Sequence, residues 1–271
     1  MRVILSLLIT LLVVVPAAAG GDSLGAAIDG EHRSAPDKQR DEHRHPRETM
    51  EFFGIRPDMT VVEIWPASGW YMEILGPYLK DAGTYYAAGY SLEAKRTPDW
   101  RKKAQGELND KIEANPGLYG EVIVTGLSVP QDTDIAPADA ADLVLTFRNV
   151  HNWMKGDYAP AMFEVFFETL KPGGILGVVE HRAPEEADIA WMKQSGYVSE
   201  SHVIELATSA GFELVGRSEI NANPKDTKNH PFGVWTLPPA LRMGERDIWT
   251  WLAIGESDRM TLKFVKPADG D

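Results

Sequence analysis

Apolar and polar positions change along the chain in blocks that predict strands and helices in turn. Residues 60–65 form a short, β-branched apolar run, which is typical of a central parallel strand buried on both faces. Strands are predicted at residues 60–65, 84–88, 121–125, 141–147, 175–180, 211–215 and 260–265. Helices are predicted at residues 48–53, 70–80, 93–114, 158–170 and 201–210. This alternation predicts an α/β fold with a doubly wound, mostly parallel sheet.

The first residues have the order of a secretory signal peptide. Arg2 precedes an unbroken apolar run at residues 3–15, and small residues follow up to Ala19. The run is too short for a bilayer, which needs about 20 apolar residues. We predict cleavage after Ala19 and export to the periplasm or the exterior, with no membrane association afterwards. The alternative is a buried N-terminal helix.

Composition narrows the possible partners. The formal net charge is -13, which disfavours nucleic acid and anionic lipid as partners. There is no cysteine, so no disulfide stabilises the chain.

Residues 20–46 are polar and predict a linker or arm before one α/β domain at residues 47–267, with a tail at 268–271. His43 and His45 lie on opposite faces of a helix and have no further ligand nearby, so no metal site is predicted. Nothing in the pattern indicates an oligomeric state.

Candidate chemistry lies at the ends of the predicted strands, because ligands bind at the carboxyl ends of parallel strands. Small residues after the first strand, including Ala67, Ser68 and Gly69, allow a ligand to approach the backbone. Polar side chains follow the fourth and fifth strands. They are Arg148, Asn149, His151, Asn152, Glu180 and His181. Such donors have no evident role in a turn, so we expect a binding crevice for a small molecule.

Several segments resemble motifs of the class I S-adenosylmethionine-dependent methyltransferases. Residues 61–69 resemble the acidic-x-Gly-x-Gly-x-Gly loop that holds the cofactor in that family. Residues 142–145 together with 150–153, then 170–174 and 210–212, resemble later motifs in order and spacing. More narrowly, residues 44–46, 63–66 and 147–153 are similar to a group of exported bacterial proteins labelled as predicted methyltransferases. The resemblance implies a seven-stranded Rossmann-like sheet with an antiparallel last strand, and makes residues 224–257 an extended connection or lid.

The resemblance also implies roles for individual residues. It makes S-adenosylmethionine the expected cofactor, with these binding residues: Glu63, Trp65, Ala67, Ser68, Gly69, Arg148 and Asn149. Glu63 contacts the ligand or holds the loop amides, and Arg148 pairs a carboxylate or forms an ion pair with Glu63 or Glu180. Of the nearby aromatic side chains, Trp65 and Trp153 are the candidates for contact with the cofactor, and core packing is the alternative. His151 and His181 are the candidate catalytic bases, and a structural role is the alternative for each.

Two departures from the family pattern leave the function open. Trp65 and Ala67 stand where the family has glycines, and the second strand ends without the acid that binds ribose, although Ser91 or Glu93 could replace it. We expect a methyltransferase acting on a small molecule. The alternative is a non-catalytic ligand-binding protein that retains the fold. A third hypothesis, ranked last, is hydrolytic or metal-assisted chemistry at His151, Glu180 and His181.

Overall fold

The strands form one mixed sheet. The structure, a computed structural model, describes residues 23–94 and 97–268. The strands are β1 (Thr60–Ile64), β2 (Thr84–Tyr90), β3 (Val122–Leu127), β4 (Ala141–Phe147), β5 (Leu170–His181), β6 (Glu213–Ser218) and β7 (Arg259–Val265). Their order in the sheet is β3-β2-β1-β4-β5-β7-β6, with β7 antiparallel to both of its neighbours and the other neighbouring pairs parallel. The predicted fold class, a mostly parallel seven-stranded sheet with an antiparallel last strand, is confirmed.

Helices cover both faces of the sheet. They are α1 (Ser23–Ile28), α2 (Ala35–Gln39), α3 (Asp41–Arg44), α4 (Pro46–Phe53), α5 (Met72–Leu79), α6 (Asp99–Ala114), α7 (Pro116–Tyr119), α8 (Val150–Lys155), α9 (Ala159–Thr169), α10 (Ile189–Ser195), α11 (Glu200–Ser209) and α12 (Ile248–Ile254). Of the residues that the structure describes, none belongs to a helix long and apolar enough to cross a membrane.

Alternating side chains of the central strands feed two separate cores. Val62 and Ile64 of β1 pack with α8, α9 and α11 on one face of the sheet. Val61 packs with α1, α4 and α5 on the other face. Burial on both faces explains why Val61, Val62 and Ile64 follow one another in β1 instead of alternating with polar residues, with Glu63 as the charged exception.

The segment predicted as a polar arm lies against the domain. Residues 23–44 form α1, α2 and α3, and Leu24 and Ile28 of α1 join the core next to α5. The indole N–H of Trp70 donates to the carbonyl of Asp37 at 3.2 Å, which ties this segment to the loop before α5. The predicted signal peptide, residues 1–19, lies outside the described residues.

Three local features differ from the pattern-based expectation. The predicted turn at residues 171–174 belongs to β5, because Leu170 already pairs with Ala141 before the register shifts. Short helices α8 and α10 were not predicted, since six or seven residues carry too little periodicity. Residues 224–257 contain a 3-10 helix, Gly233–Thr236, and the apolar helix α12, whose Trp249 is 81% exposed.

Candidate functional site

The crevice at the carboxyl ends of the strands holds most of the predicted site residues. β1 and β4 are neighbours in the sheet, and the strand order reverses between them, which is where open α/β sheets bind ligands. A cavity of about 240 Å³ lies there, which we call the crevice. Its lining includes Glu63, Trp65, Ala67, Arg148, Asn149, His151 and His181. Ser68 and Gly69 do not line it, and the side chain of Ser68 is exposed.

The loop after β1 has a left-handed backbone at every position where the resembling motif has glycine. The φ angles are 50° at Trp65, 53° at Ala67 and 87° at Gly69. The φ of 87° at Gly69 disfavours any side chain, and an added Cβ would also lie 2.8 Å from the side chain of Leu108. Left-handed backbone costs a non-glycine residue about 1–2 kcal/mol, so Trp65 and Ala67 are strained. The loop therefore keeps its shape although two glycines are gone.

The Trp65 ring covers the ends of two further strands. It lies 5.1 Å from the ring of Tyr90, the last residue of β2, and its N–H donates to the carbonyl of Leu127, the last residue of β3, at 3.3 Å. The guanidinium of Arg101 stacks on it at 4.2 Å, and only 6% of Trp65 is exposed. In Rossmann-type sheets the ribose of a bound cofactor lies beyond the end of β2. Trp65 fills that space.

The ends of β2 and β3 also lack the expected polar contacts. Neither Ser91 nor Glu93 lines the crevice, and the carbonyl of Ser91 accepts a hydrogen bond from the Thr97 hydroxyl at 2.7 Å. No described residue in this part of the crevice replaces the missing acid. We call this region the aromatic half of the crevice; Trp65 and Tyr90 line it, and Trp153 packs behind Trp65 without lining the crevice, so the alternative of core packing holds for Trp153.

Glu63 lies beneath the loop, at the floor of the crevice, and is buried. The Tyr85 hydroxyl donates to its carboxylate at 2.5 Å. Burial raises the pKa of Glu63 to about 7, against the opposing effects of the Tyr85 hydrogen bond and of Arg44. Backbone N–H groups of Trp65 and Gly69 donate to the carbonyls of Ala88 and Pro66 instead. Among the described contacts, Glu63 does not hold the loop amides.

Arg148 presents a charge without a partner. Its φ is 60°, its backbone N–H donates to Val179, and no carboxylate of the described residues forms an ion pair with its guanidinium. Neither ion pair considered from the sequence forms, since Glu63 bonds to Tyr85 and Glu180 to His151. Burial and the nearby Arg259 lower the pKa of Arg148 to about 10, so it stays charged at neutral pH.

The neighbouring Asn149 is already used in part. Its side-chain N–H₂ donates to the carbonyl of Ile64 at 2.9 Å and to the hydroxyl of Thr146 at 3.2 Å. These bonds tie the end of β1 to β4 and fix the floor of the crevice. The amide oxygen of Asn149 is its acceptor group for a ligand.

A cluster of arginines surrounds one carboxylate behind Arg148. Glu256 accepts from Arg40 at 2.6 Å, lies 3.5 Å from Arg44, and pairs with Arg259. These arginines and Arg148 hold the pKa of Glu256 well below its usual range in spite of its burial. Buried nitrogens of Arg40, Arg44 and Arg259 have no hydrogen-bond partner. The crevice is therefore electropositive on this side, which favours an anionic group of a ligand.

His151 has the geometry of an oriented base. Its Nδ1 lies 3.0 Å from Glu180 Oε1, and the amide nitrogen of Asn152 lies 3.0 Å from its Nε2. An amide N–H₂ can only donate, so Nε2 is the acceptor and Nδ1–H donates to Glu180. The sequence placed both residues at strand ends but did not pair them. The pairing arises because α8 starts within the crevice, so its first turn brings His151 to the end of β5.

His181 is a poorer candidate for the base. Its Nδ1 is hydrogen-bonded to the hydroxyl of Ser257, and its ring lies 5.3 Å from that of His151. Burial, then His151 and Arg148, lower the pKa of His181 well below its ordinary value. A group that stays neutral in this way accepts a proton weakly near pH 7.

The same residues could hold a metal ion. His151, Glu180 and His181 offer ligand atoms within 4.8 Å of one another. However, the Glu180 carboxylate already accepts from the backbone N–H groups of His151 and His181 as well as from the His151 ring. Arginines that lower the pKa of His181 oppose a cation by the same field. The geometry favours a carboxylate-oriented base here.

Comparison with known proteins finds similarity in structure alone. No protein-family model matches the sequence, and no curated protein matches it. An S-adenosylmethionine-dependent methyltransferase from Aquifex aeolicus is 18% identical with a TM-score of 0.52, covering 68% of this chain and 87% of that one. A putative sarcosine dimethylglycine methyltransferase from Galdieria sulphuraria is 14% identical with a TM-score of 0.56, covering 88% and 91%. The [4+2]-cyclase SpnF is 15% identical with a TM-score of 0.58, covering 86% and 84%. The chain therefore has the Rossmann-like fold of the class I S-adenosylmethionine-dependent methyltransferases.

Proposed function

We propose that the protein is an S-adenosylmethionine-dependent methyltransferase that acts on a small molecule. The observation that carries this proposal is the loop after β1, which keeps a left-handed backbone at Trp65, Ala67 and Gly69 in spite of its strain. Strain of this kind persists where the surrounding structure demands it, most often at ligand sites. The fold and the position of the loop at the switch point of the sheet support the same conclusion.

One end of the crevice fits the amino-acid part of the cofactor. Arg148 is an unpartnered guanidinium that can pair a carboxylate by its two-pronged geometry. Glu63 lies close by with a pKa of about 7, so a neighbouring cation would favour its ionised form. When bound, the cofactor supplies an activated methyl group on its sulfonium.

His151 provides the base for an acceptor that carries a proton. Its Nε2 accepts a hydrogen bond from the Asn152 amide, which must turn away before Nε2 takes a proton from a ligand, while Glu180 holds Nδ1–H and stabilises the imidazolium that results. His181 stays neutral beside it and does not compete for the proton.

The nucleoside end does not fit while Trp65 occupies it. The ring has contacts with Tyr90, Arg101 and Trp153, and its N–H is bonded to Leu127. Binding of a nucleoside there requires this ring to leave. Displacing a buried tryptophan costs several kcal/mol, since truncation of such a ring costs about 3–5 kcal/mol.

This filled half favours a second candidate function. A smaller anionic ligand could bind beside Arg148 without a nucleoside. Such a ligand would not require the Trp65 ring to move. The second candidate is therefore a non-catalytic ligand-binding protein with a methyltransferase fold.

Calorimetric titration with S-adenosylmethionine and S-adenosylhomocysteine separates the two candidates. Trp65→Gly restores the family's glycine and empties the nucleoside end, so we expect it to bind both compounds at least tenfold more tightly than the wild type, or about 1.4 kcal/mol. Trp249→Gly, which removes an exposed indole, is the control and should leave affinity unchanged. Thermal unfolding verifies that each variant is folded.

The outcomes are distinct. If neither compound binds at millimolar concentration to the wild type or to a folded Trp65→Gly, the methyltransferase proposal is contradicted. The ligand-binding protein then remains as the candidate function. In the same titration His151→Gln should keep the wild-type affinity, because His151 serves the acceptor. A matching loss of affinity would put His151 in the cofactor site instead.

A further inference from the structure

A second and larger cavity adjoins the crevice. It has a volume of about 610 Å³, within the range of sites for small organic ligands, and we call it the outer groove. Trp235 and Ala240 line both cavities. The ring of Trp235 lies 5.9 Å from that of His151. A molecule in the outer groove therefore lies one side chain away from the proposed base.

The outer groove is basic in an acidic protein. Lys155 and Arg242 line it, and among the described residues neither forms an ion pair with a carboxylate. Neither aspartate nor glutamate belongs to the described lining, although the chain carries a net charge of -13. His230 also lines the groove and is held from behind by Asp226, whose carboxylate lies 2.8 Å from its Nε2. Such a reversal of charge inside a concave surface draws in anions.

Aromatic rings form the walls of the outer groove. Phe232 is 43% exposed, and Trp191 and Trp235 also line the cavity. Trp191 is held flat by stacking on Tyr197 at 6.0 Å and 16°. Exposed and half-buried rings in a concave site offer flat apolar surface that a planar ligand covers favourably.

The cations sit over these same rings. Lys155 Nζ lies 5.8 Å from the ring of Trp235, and the Arg242 guanidinium lies 5.0 Å from that of Phe232. Apolar surface and positive charge are thus presented together, at a spacing suited to one small molecule that carries both a ring and an acid group.

We propose that the outer groove binds a small aromatic acid, with its ring against Trp191, Phe232 and Trp235 and its carboxylate at Lys155 and Arg242. As the methyl acceptor, this molecule would have to pass Trp235 to reach His151, and that part of the inference rests on the proposed function. Binding of the acid itself requires no cofactor.

Calorimetric titration of the full chain without cofactor tests the groove. The ligands are 4-hydroxybenzoate, its neutral analogue 4-hydroxybenzamide, and cyclohexanecarboxylate, an acid without a flat ring. We expect 4-hydroxybenzoate to bind at least tenfold more tightly than either, because only it satisfies both the cations and the rings. Equal affinity for the acid and the amide, or no binding of 4-hydroxybenzoate at millimolar concentration, would overturn the proposal.

Matched variants locate the bound acid. Arg242→Gln and Lys155→Gln should each weaken 4-hydroxybenzoate binding by roughly three- to tenfold, in line with loss of one charge-assisted contact. Arg246→Gln and Lys193→Gln remove the same charge from side chains that do not line the groove and should change nothing. Equal effects of lining and control variants would show that only net charge matters, which also overturns the proposal.

This result is independent of the cofactor titration. If 4-hydroxybenzoate binds but S-adenosylmethionine binds to neither the wild type nor Trp65→Gly, the proposal for the outer groove stands and the proposed methyltransferase activity is contradicted. If S-adenosylmethionine binds but 4-hydroxybenzoate does not, the proposal for the outer groove is contradicted and the proposed methyltransferase activity stands.

Discussion

The two halves of the crevice differ in the side chains that form them, which are arginines in the charged half and packed aromatic rings in the aromatic half. In the charged half, Arg44 and Arg148 face the cavity, buried nitrogens have no partners, and one carboxylate serves several arginines. In the aromatic half, Trp65 is packed on all sides and its N–H is bonded. Unpaired buried polar groups cost about 1–3 kcal/mol each; such nitrogens lie on Arg40, Arg44 and Arg259 around Glu256, and on Arg101 and Trp153 in the aromatic half. The charged half is therefore the part of the crevice that attracts an anionic group, and a ligand that extends to the end of β2 must displace Trp65.

The largest effect is expected where the charged half depends on a single group. Glu256→Gln leaves Arg40, Arg44 and Arg259 without their carboxylate, so we expect it to lower the free energy of unfolding by about 3–5 kcal/mol. Chemical denaturation measures this. Glu219→Gln, which breaks an exposed pair with Arg182, is the control and should cost about 1 kcal/mol or less. If the two variants lose similar amounts of unfolding free energy, the cluster around Glu256 does not stabilise the charged half.

A smaller, pH-dependent effect is expected at Glu63. Its pKa is about 7 in the folded chain against an ordinary value of 4.5, so the folded state favours the protonated form. The stability that this group contributes is fully present below pH 4.5 and is lost as the pH rises through about 7, a difference of about 3 kcal/mol.

Glu63→Gln should remove this dependence. The free energy of unfolding of the wild type, relative to the variant, should fall between pH 4.5 and 7 when both are measured by denaturation at each pH. Glu113→Gln, on the exposed side of α6, controls for the loss of one carboxylate. Parallel curves for wild type and Glu63→Gln would show that Glu63 is not held in its protonated form.

The smallest effect is expected at the loop between the halves. Ala67→Gly relieves a left-handed backbone of φ 53°, and after the entropy that glycine adds to the unfolded chain we expect a gain of about 0.5–1 kcal/mol. Ala104→Gly, in the middle of α6, should instead cost about 1 kcal/mol. Thermal unfolding compares the pair, and a loss at Ala67 equal to that at Ala104 would exclude strain in the loop.

Local pattern was sufficient to predict the fold and the position of the crevice. The apolar runs predicted the strands because β1 and β4 are buried on both faces, and strand ends must meet at one edge of a parallel sheet. Pattern could not predict which side chains pair across long distances in sequence. Glu256 reaches Arg40 over 216 residues, and His151 reaches Glu180 over 29. The direction of the Trp65 ring is likewise decided by space at the ends of β2 and β3.

The strand order has a consequence for the time at which the crevice is completed during synthesis. β5 and β6 are joined only through β7, the last element of the fold, so one edge of β5 stays open until Arg259–Val265 has left the ribosome. Glu256 emerges just before that strand and closes on Arg40 and Arg44, which were made first. Both the sheet and the charged half of the crevice are therefore completed by the same short segment, Glu256 with β7. A nascent chain that lacks this segment has no complete binding site.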